Sequence, residues 1–491
     1  MPFTFHSELR GLHKLHKRRT LTALQLPRNY PAKRHMAQVQ IHDGVHSYSE
    51  AERYVAPMNE AVRKHIEWFT GLKFGLMMHW APGCQLATYE SWPLCDEEED
   101  WARKDIDWTC DMQEFKNQYW SANKTFNPVK FRPDFWADFA RQSGFKYVLF
   151  TTKHHDGFCM FDTATTDYKI TASDCPFHTN RYAHIVKEVF NAFRNEGLAI
   201  SAYFSKPDWH SPYYWAPEMG PAHTRNVNYH IPDHPELWEK FVAFTHRQIE
   251  ELCTQYGKID VLWLDGGQVS PHINHQDIRL GEIVEKIRKT AQPHLIVCDR
   301  TVGGEYENII TPEQAVPPDF IPCPWESCIT AGDYFSFHYE DNFKSPHKII
   351  ALLIEIVSKG GNLALNIPPQ PDGCLPAKAM RNLLKVGQWL KTNGEGIYNT
   401  KGYALKQKDG IYLTQTEKNL YAFYLYDENT PSMPRKLLLT LQSGQKIASA
   451  ACLRTESIIP FEQKEQTVWL DLTGIPILTA LYAECFKLIL Q

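Results

Sequence analysis

No run of about 18 consecutive apolar residues occurs in the 491-residue chain, so no membrane-spanning helix is expected. The formal net charge of −5 leaves no basic excess, and neither nucleic acid nor a membrane surface is expected as a partner. The 12 cysteines are scattered. Their closest pair is Cys323 and Cys328, and no Cys-x-x-Cys occurs, which argues against a zinc ribbon or a thioredoxin-like site. The thiols are expected to be free and mostly buried, as in a reducing compartment. The first 40 residues are basic and rich in histidine (His6, Arg10, His13, His16, Arg18) but have no apolar signal-peptide core. That stretch is read as a disordered lead-in without assigned function, and the protein is expected to be cytoplasmic.

Catalytic signatures are missing too. No Gly-x-Gly-x-x-Gly follows the first strand, no His-x-His or His-Glu-x-x-His is present, and no Gly-x-Ser-x-Gly occurs. Dinucleotide binding, a zinc site and a serine nucleophile therefore lose their usual support. No cofactor and no metal are expected. Adjacent His154 and His155 would point opposite ways on an extended chain, which disfavours joint ligation of one ion.

What the chain does have is an alternation of apolar strands and amphipathic helices from about residue 41 to 396. Strands are predicted at residues 72–80, 146–152, 198–205, 261–265, 295–298 and 362–367, with helices at 58–70, 133–143, 183–196, 236–256, 280–291, 347–359 and 377–392. Such alternation signals parallel βαβ units, and six or more of them over 300 residues favour a distorted (β/α)8-like, TIM-type barrel. From about residue 397 short alternating runs replace this pattern, at 410–413, 420–426, 436–441, 467–472 and 477–489. They predict a C-terminal antiparallel β-sandwich spanning 397–491. Composition leaves self-association into a homo-oligomer open.

The run Val261, Leu262, Trp263, Leu264 leads directly into Asp265, Gly266 and Gly267. A continuous apolar run is a strand buried on both faces, and its C-terminal end is where a barrel keeps its chemistry. Taken alone, Asp265 is as readily a loop cap as a catalytic acid. His79, His154, His155, Asp208, Arg300 and Glu326 are each read as following an apolar segment as well. In a barrel such ends converge on one pocket. Two carboxylates without a metal suit glycoside hydrolysis: one ionised to attack, one protonated to serve the leaving oxygen. Asp265 suits the first part, with Arg300 beside it to keep it ionised and two glycines to admit a ligand. Glu326 next to Trp325 suits the second, because an apolar flank raises a carboxyl pKa. Asp208, Glu305, Glu307, Glu313 and Asp333 compete for it. The neutral imidazoles suit hydrogen bonds to sugar hydroxyls, although a buried histidine is as often structural. Aromatic residues make up 13%, including 14 Trp, which fits stacking on sugars and equally a large aromatic core.

Several stretches resemble the alpha-L-fucosidases of glycoside hydrolase family 29: Lys73-Phe74-Gly75-Leu76-Met77-Met78-His79-Trp80, Glu90-Ser91-Trp92, Lys153-His154-His155-Asp156-Gly157-Phe158, Asp260 to Gly266, Trp325-Glu326-Ser327-Cys328, and Lys359 to Asn366. The resemblance implies a retaining exo-enzyme that releases terminal alpha-L-fucose from oligosaccharides or glycoconjugates through a glycosyl-enzyme intermediate. It implies Asp265 as nucleophile and Glu326 as general acid/base, with Glu313 in reserve. It places His79, Glu90, Trp92, His154, His155, Tyr203, Trp263 and Arg300 at fucose-contacting positions. Ser91 departs from the commoner Asn-Glu-Trp order, and Phe204 stands where a second tyrosine is frequent. Two alternatives remain: a same-fold hydrolase of a related sugar such as alpha-L-galactose, and an inactive fucose-binding relative.

Overall fold

The computed structural model describes residues 48–95, 102, 111–408, 410–430, 432–476 and 482–491. The basic lead-in and residues 41–47 lie outside the described residues. Seven parallel strands form one sheet: β1 (Phe74–Met78), β2 (Tyr147–Lys153), β3 (Ala199–Ser205), β4 (Val261–Asp265), β5 (Ile296–Asp299), β6 (Glu326–Thr330) and β7 (Asn362–Asn366). Their order is β5-β4-β3-β2-β1-β7-β6. Segment 306–314 runs between the edge strands β5 and β6. On one side Asp299 N–H donates to Tyr306 O (3.0 Å) and Asn308 N–H to Val297 O (2.9 Å). On the other, Glu326 N–H donates to Ile310 O (2.8 Å), Cys328 N–H to Pro312 O (3.0 Å) and Gln314 N–H to Cys328 O (2.9 Å). The segment fills the eighth position and closes the barrel. Pro312 has no N–H to donate, so the pairing there stays irregular.

The pleat sorts side chains into two layers. Met77, Tyr147, Leu149, Tyr203, Val261, Trp263, Cys298 and Cys328 cluster inside the ring. Leu76, Met78, Val148, Phe150, Phe204, Leu262, Leu264 and Val297 face out and pack in the larger core with the helices. Those helices are α1 (Glu60–Leu72), α2 (Met112–Trp120), α3 (Pro133–Gln142), α4 (Ile185–Asn195), α5 (Pro235–Gln255), α6 (Leu280–Thr290), α7 (Pro346–Ser358) and α8 (Ala377–Asn393). α1 differs from the rest. Its Val62, Ile66 and Phe69 join the inner cluster, with the Phe69 ring 4.8 Å from that of Tyr147. α1 therefore plugs the N-terminal end of the barrel and leaves the opposite end for a site. No helix among the described residues is long and apolar enough to cross a membrane.

The C-terminal strands are β8 (Lys401–Gly402), β9 (Ile411–Gln415), β10 (Asn419–Leu425), β11 (Lys436–Thr440), β12 (Ile447–Cys452), β13 (Phe461–Lys464), β14 (Thr467–Asp471) and β15 (Ala483–Leu490). They form a five-stranded sheet, β12-β15-β10-β9-β8, and a three-stranded one, β11-β14-β13. Leu413, Leu420, Leu439, Val468, Leu470 and Phe486 pack between them. This is the expected sandwich. β12 and β13 were not predicted, because one is rich in alanine and the other is short and polar, so neither has a strong period-two apolar signal. Tyr421, Phe423, Ala483 and Cys485 belong to the same core as the barrel helices.

Eleven cysteines are free among the described residues, most of them buried.

Candidate active site

β4 delivers Asp265 to the open end of the barrel in register with Ser205 of β3, and Trp263 two residues below it in register with Tyr203. Tyr203 Oη donates to Asp265 Oδ2 at 2.5 Å. Arg300, just past β5, donates from Nη1 to Asp265 Oδ1 at 3.0 Å, and Gly266 N–H adds a bond of 2.8 Å to the same oxygen. Burial opposes the charge on Asp265, but the Arg300 guanidinium, the nearby His155 and the Tyr203 hydroxyl outweigh it. They hold the carboxyl far below the usual carboxylate range. Asp265 is thus an ionised acceptor in the wall of a cavity at the open end of the barrel.

Gly266 and Gly267 line that cavity, but the structure gives them a second reason. Gly266 has φ 92°, and a Cβ there would sit 2.3 Å from Pro207 Cδ; one on Gly267 would sit 1.9 Å from Thr301 Oγ1. Side chains are barred by the neighbouring loops before any ligand is considered.

Three imidazoles face Asp265. His155 Nε2 lies 3.8 Å from Asp265 Oδ2. Burial drives His79 and His155 down to about 4, and burial with the neighbouring His155 and His79 drives His154 well below its ordinary value. All three are neutral at physiological pH, so each offers one N–H and one acceptor nitrogen. His154 Nδ1 is 2.5 Å from Ser91 Oγ, and His79 Nδ1 is 3.3 Å from Asn366 Oδ1. Ser91 therefore orients a cavity histidine, a role its place in the sequence did not reveal. His154, His155 and Asp265 also present donor atoms within 4.8 Å of one another, as a metal site would. Arg300 already supplies the positive charge on that carboxylate, and a second cation beside it would be repelled. Aromatic rings complete the walls. Trp92 meets His155 edge-on at 5.0 Å, Tyr203 stacks on Trp263 at 5.4 Å, and the Arg300 guanidinium lies over Trp263 at 5.4 Å.

Ten of the expected site residues line the cavity: His79, Glu90, Trp92, His154, His155, Tyr203, Trp263, Asp265, Arg300 and Glu313. Glu326, expected as general acid/base, does not line the cavity. β6 begins at Glu326 rather than ending there. Its side chain points inward, but two positions below Cys328, the residue of β6 that reaches the cavity. At about 3.3 Å per residue that is roughly 7 Å deeper in the barrel. Tyr147 Oη donates to Glu326 Oε2 at 2.5 Å and Trp263 Nε1 to Oε1 at 3.1 Å, so both oxygens are occupied at 1% exposure. Burial pushes its carboxyl up to about 7 against those two bonds. The raised pKa expected from its flank is present, but deeper than the cavity.

The cavity holds two other glutamates. Glu313 sits at the upper end of the segment that closes the barrel, bridged to Cys328, and its Oε2 accepts from Arg300 Nη2. Asp265 and Glu313 thus occupy the two terminal nitrogens of one guanidinium. Glu90 has left-handed backbone, φ 41°. Its Oε1 accepts from Ser336 N–H at 2.6 Å. Burial pushes its carboxyl up to about 8, against the Ser336 N–H and with the charge of Glu313 adding to the rise. Met77, Gln268, Thr301, Cys328 and Phe335 complete the lining and were not foreseen. Met77 was legible, since it is two residues before His79 on an inward-facing strand. Phe335 was not, because it comes from the loop after β6.

Comparison with known proteins follows the same lines. The sequence profile of the alpha-L-fucosidase family matches residues 43–395. The plasma alpha-L-fucosidase of Rattus norvegicus is 29% identical over 380 residues, covering 73% of this chain and 77% of the relative. The tissue alpha-L-fucosidase of Homo sapiens is 27% identical over 382 residues, covering 73% and 75%. Among solved structures, alpha-L-fucosidase isoenzyme 1 from Paenibacillus thiaminolyticus superposes with a TM-score of 0.72 at 29% identity, covering 88% of this chain and 100% of that one. The Thermotoga maritima alpha-fucosidase shares the fold, with a TM-score of 0.68 at 23% identity over 89% and 100%. With a profile match across the whole barrel and a cavity built on Asp265, Arg300 and the paired histidines, the chain belongs to the alpha-L-fucosidase family.

Proposed function

We propose that the chain is a retaining exo-glycosidase that hydrolyses terminal alpha-L-fucose from oligosaccharides or glycoconjugates, with Asp265 as nucleophile and Glu313 as general acid/base. The observation that carries this reading is the pairing of both carboxyls with one guanidinium, Asp265 through Nη1 and Glu313 through Nη2 of Arg300. Retention needs two carboxyls about 5 Å apart on opposite sides of the scissile bond, and a shared guanidinium holds two acids close. In the first step an Asp265 oxygen attacks the anomeric carbon, and Glu313, acting from its protonated form with the Arg300 charge given over to Asp265, passes its proton to the departing oxygen. Forming the ester removes the Asp265 charge. Arg300 is then left to support Glu313 as a base, which takes a proton from the water that opens the ester. The neutral His79, His154 and His155 supply hydrogen bonds to the sugar hydroxyls.

Met77, Trp263, Cys328 and Phe335 add an apolar wall, which favours a 6-deoxy sugar over its 6-hydroxy counterpart. Fucosides are accordingly expected to be cleaved faster than L-galactosides. The deciding experiment is Asp265→Gly assayed on an aryl fucoside. Turnover is expected to fall by at least about 10³-fold and to return in part with azide or formate; undiminished turnover without either would remove Asp265 from the mechanism.

A further inference from the structure

Beyond the sugar cavity the loop at 331–344 carries aromatic side chains that the reaction above does not use: Tyr334, Phe337, His338 and Tyr339. Tyr334 stacks on His338 at 4.3 Å between ring centroids and meets Tyr89 at 5.0 Å with a 59° tilt. Tyr89 directly precedes Glu90, and Tyr334 directly precedes Phe335; both successors line the cavity. The aromatic cluster is therefore joined through the backbone to two residues of the cavity wall. Tyr89, Tyr334 and His338 are half-buried, and Tyr339 next to them is 74% exposed.

The cluster is held in place without a ligand. Ser336 N–H donates to Glu90 Oε1 at 2.6 Å, which ties the loop to the strand-end segment that carries Tyr89. Asn366 Nδ2, at the end of β7, donates to Phe335 O at 2.8 Å. Lys344 Nζ donates to Thr330 O at 2.6 Å and to Gly332 O at 3.1 Å, closing the base of the loop. A rim fixed in advance loses little entropy when it is occupied.

We infer that Tyr89, Tyr334 and His338 form a binding subsite for the leaving-group sugar, a pyranose whose C–H face packs on their rings while fucose fills the cavity below. The inference rests on the glycosidase reading and extends it to the second sugar. It follows from position: the bond to be broken lies at the top of the cavity, so the departing ring must emerge beside this rim. Flat amphipathic rings with phenol hydroxyls at their edges suit a sugar, which is apolar on its face and polar at its rim.

The test compares two substrates with the full-length protein. Alpha-L-fucosyl fluoride has no leaving-group ring and cannot use the subsite; a fucosyl-hexose disaccharide can. For Tyr334→Ala, kcat/KM on the best-cleaved disaccharide is expected to fall about 10-fold, the worth of one aromatic contact, while the fluoride rate stays within about twofold. Tyr334→Phe keeps the ring and is expected to retain most of the disaccharide rate. Tyr89→Ala is expected to follow Tyr334→Ala. Equal losses on both substrates, or no loss on the disaccharide, would overturn the subsite, as would a wild-type protein that cleaves the fluoride but no disaccharide. A wild-type protein that cleaves neither would instead overturn the glycosidase reading, and the subsite with it.

Discussion

Asp265, half-buried, and Glu326, fully buried, are carboxyls of one barrel that differ in their partners. Asp265 meets a guanidinium and stays ionised; Glu326 meets a phenol and an indole, with no cation, and stays protonated up to about pH 7. The consequences for stability have opposite signs. The depressed Asp265 contributes stability above its ordinary 3.8 that is lost as pH falls. Glu326 binds its proton more tightly when folded, so its contribution is complete below the ordinary 4.5 and is lost as pH rises through about 7. Glu326→Gln removes that proton. The melting temperature of the wild type is expected to fall relative to this variant between those pH values, and parallel melting curves would contradict the assignment. Activity should separate the glutamates further. Glu313→Ala is expected to cost about 10²-fold or more on natural linkages and far less on an aryl fucoside with a good leaving group. Glu326→Gln is expected to change both substrates alike, because it acts only through the Trp263 indole.

Elements divide the barrel into a sealed end and a working end. α1 supplies the seal, with Val62, Ile66 and Phe69 inside the ring, and the strands deliver Asp265, Tyr203 and Cys328 to the other side. Phe69 is 1% exposed and packs on Tyr147, the phenol that binds Glu326. Phe69→Ala is expected to cost about 3–5 kcal/mol of stability, the usual range for a large core truncation. Chemical denaturation checks the loss, and a change under about 1 kcal/mol would mean that α1 is not an integral plug. The variant should also shift the Glu326 environment while leaving the cavity residues in place.

Over the whole chain the C-terminal sheets are part of the barrel's packing. Trp389 of α8 donates from Nε1 to Ala483 O at 3.0 Å, and Phe423 and Cys485 sit in the barrel's outer core. Removing residues 397–491 would bare that apolar face of the helix layer. The truncated chain is expected to be poorly soluble and inactive, as expression and turnover assays would show. A soluble, active truncation would make the sandwich an appendage.

The succession of apolar strands and amphipathic helices was enough to indicate a parallel barrel, because hydrophobic period is a local property that burial dictates directly. The approach of His79, His154, His155, Asp265 and Arg300 to one cavity was legible for the same reason: parallel strands place their C-terminal ends on one side. Depth within the barrel was not. Glu326 and Glu313 both lie near the ring's closure, and each is a plausible acid in sequence. Which one lines the cavity depended on where β6 starts and on an irregular segment filling the eighth position, and those are fixed by long-range pairing with β5, β7 and Ile310. The same holds for Ser91 on His154 and for the aromatic rim at Tyr334. Their partners are distant along the chain, and contacts between distant segments leave no periodic trace in either one.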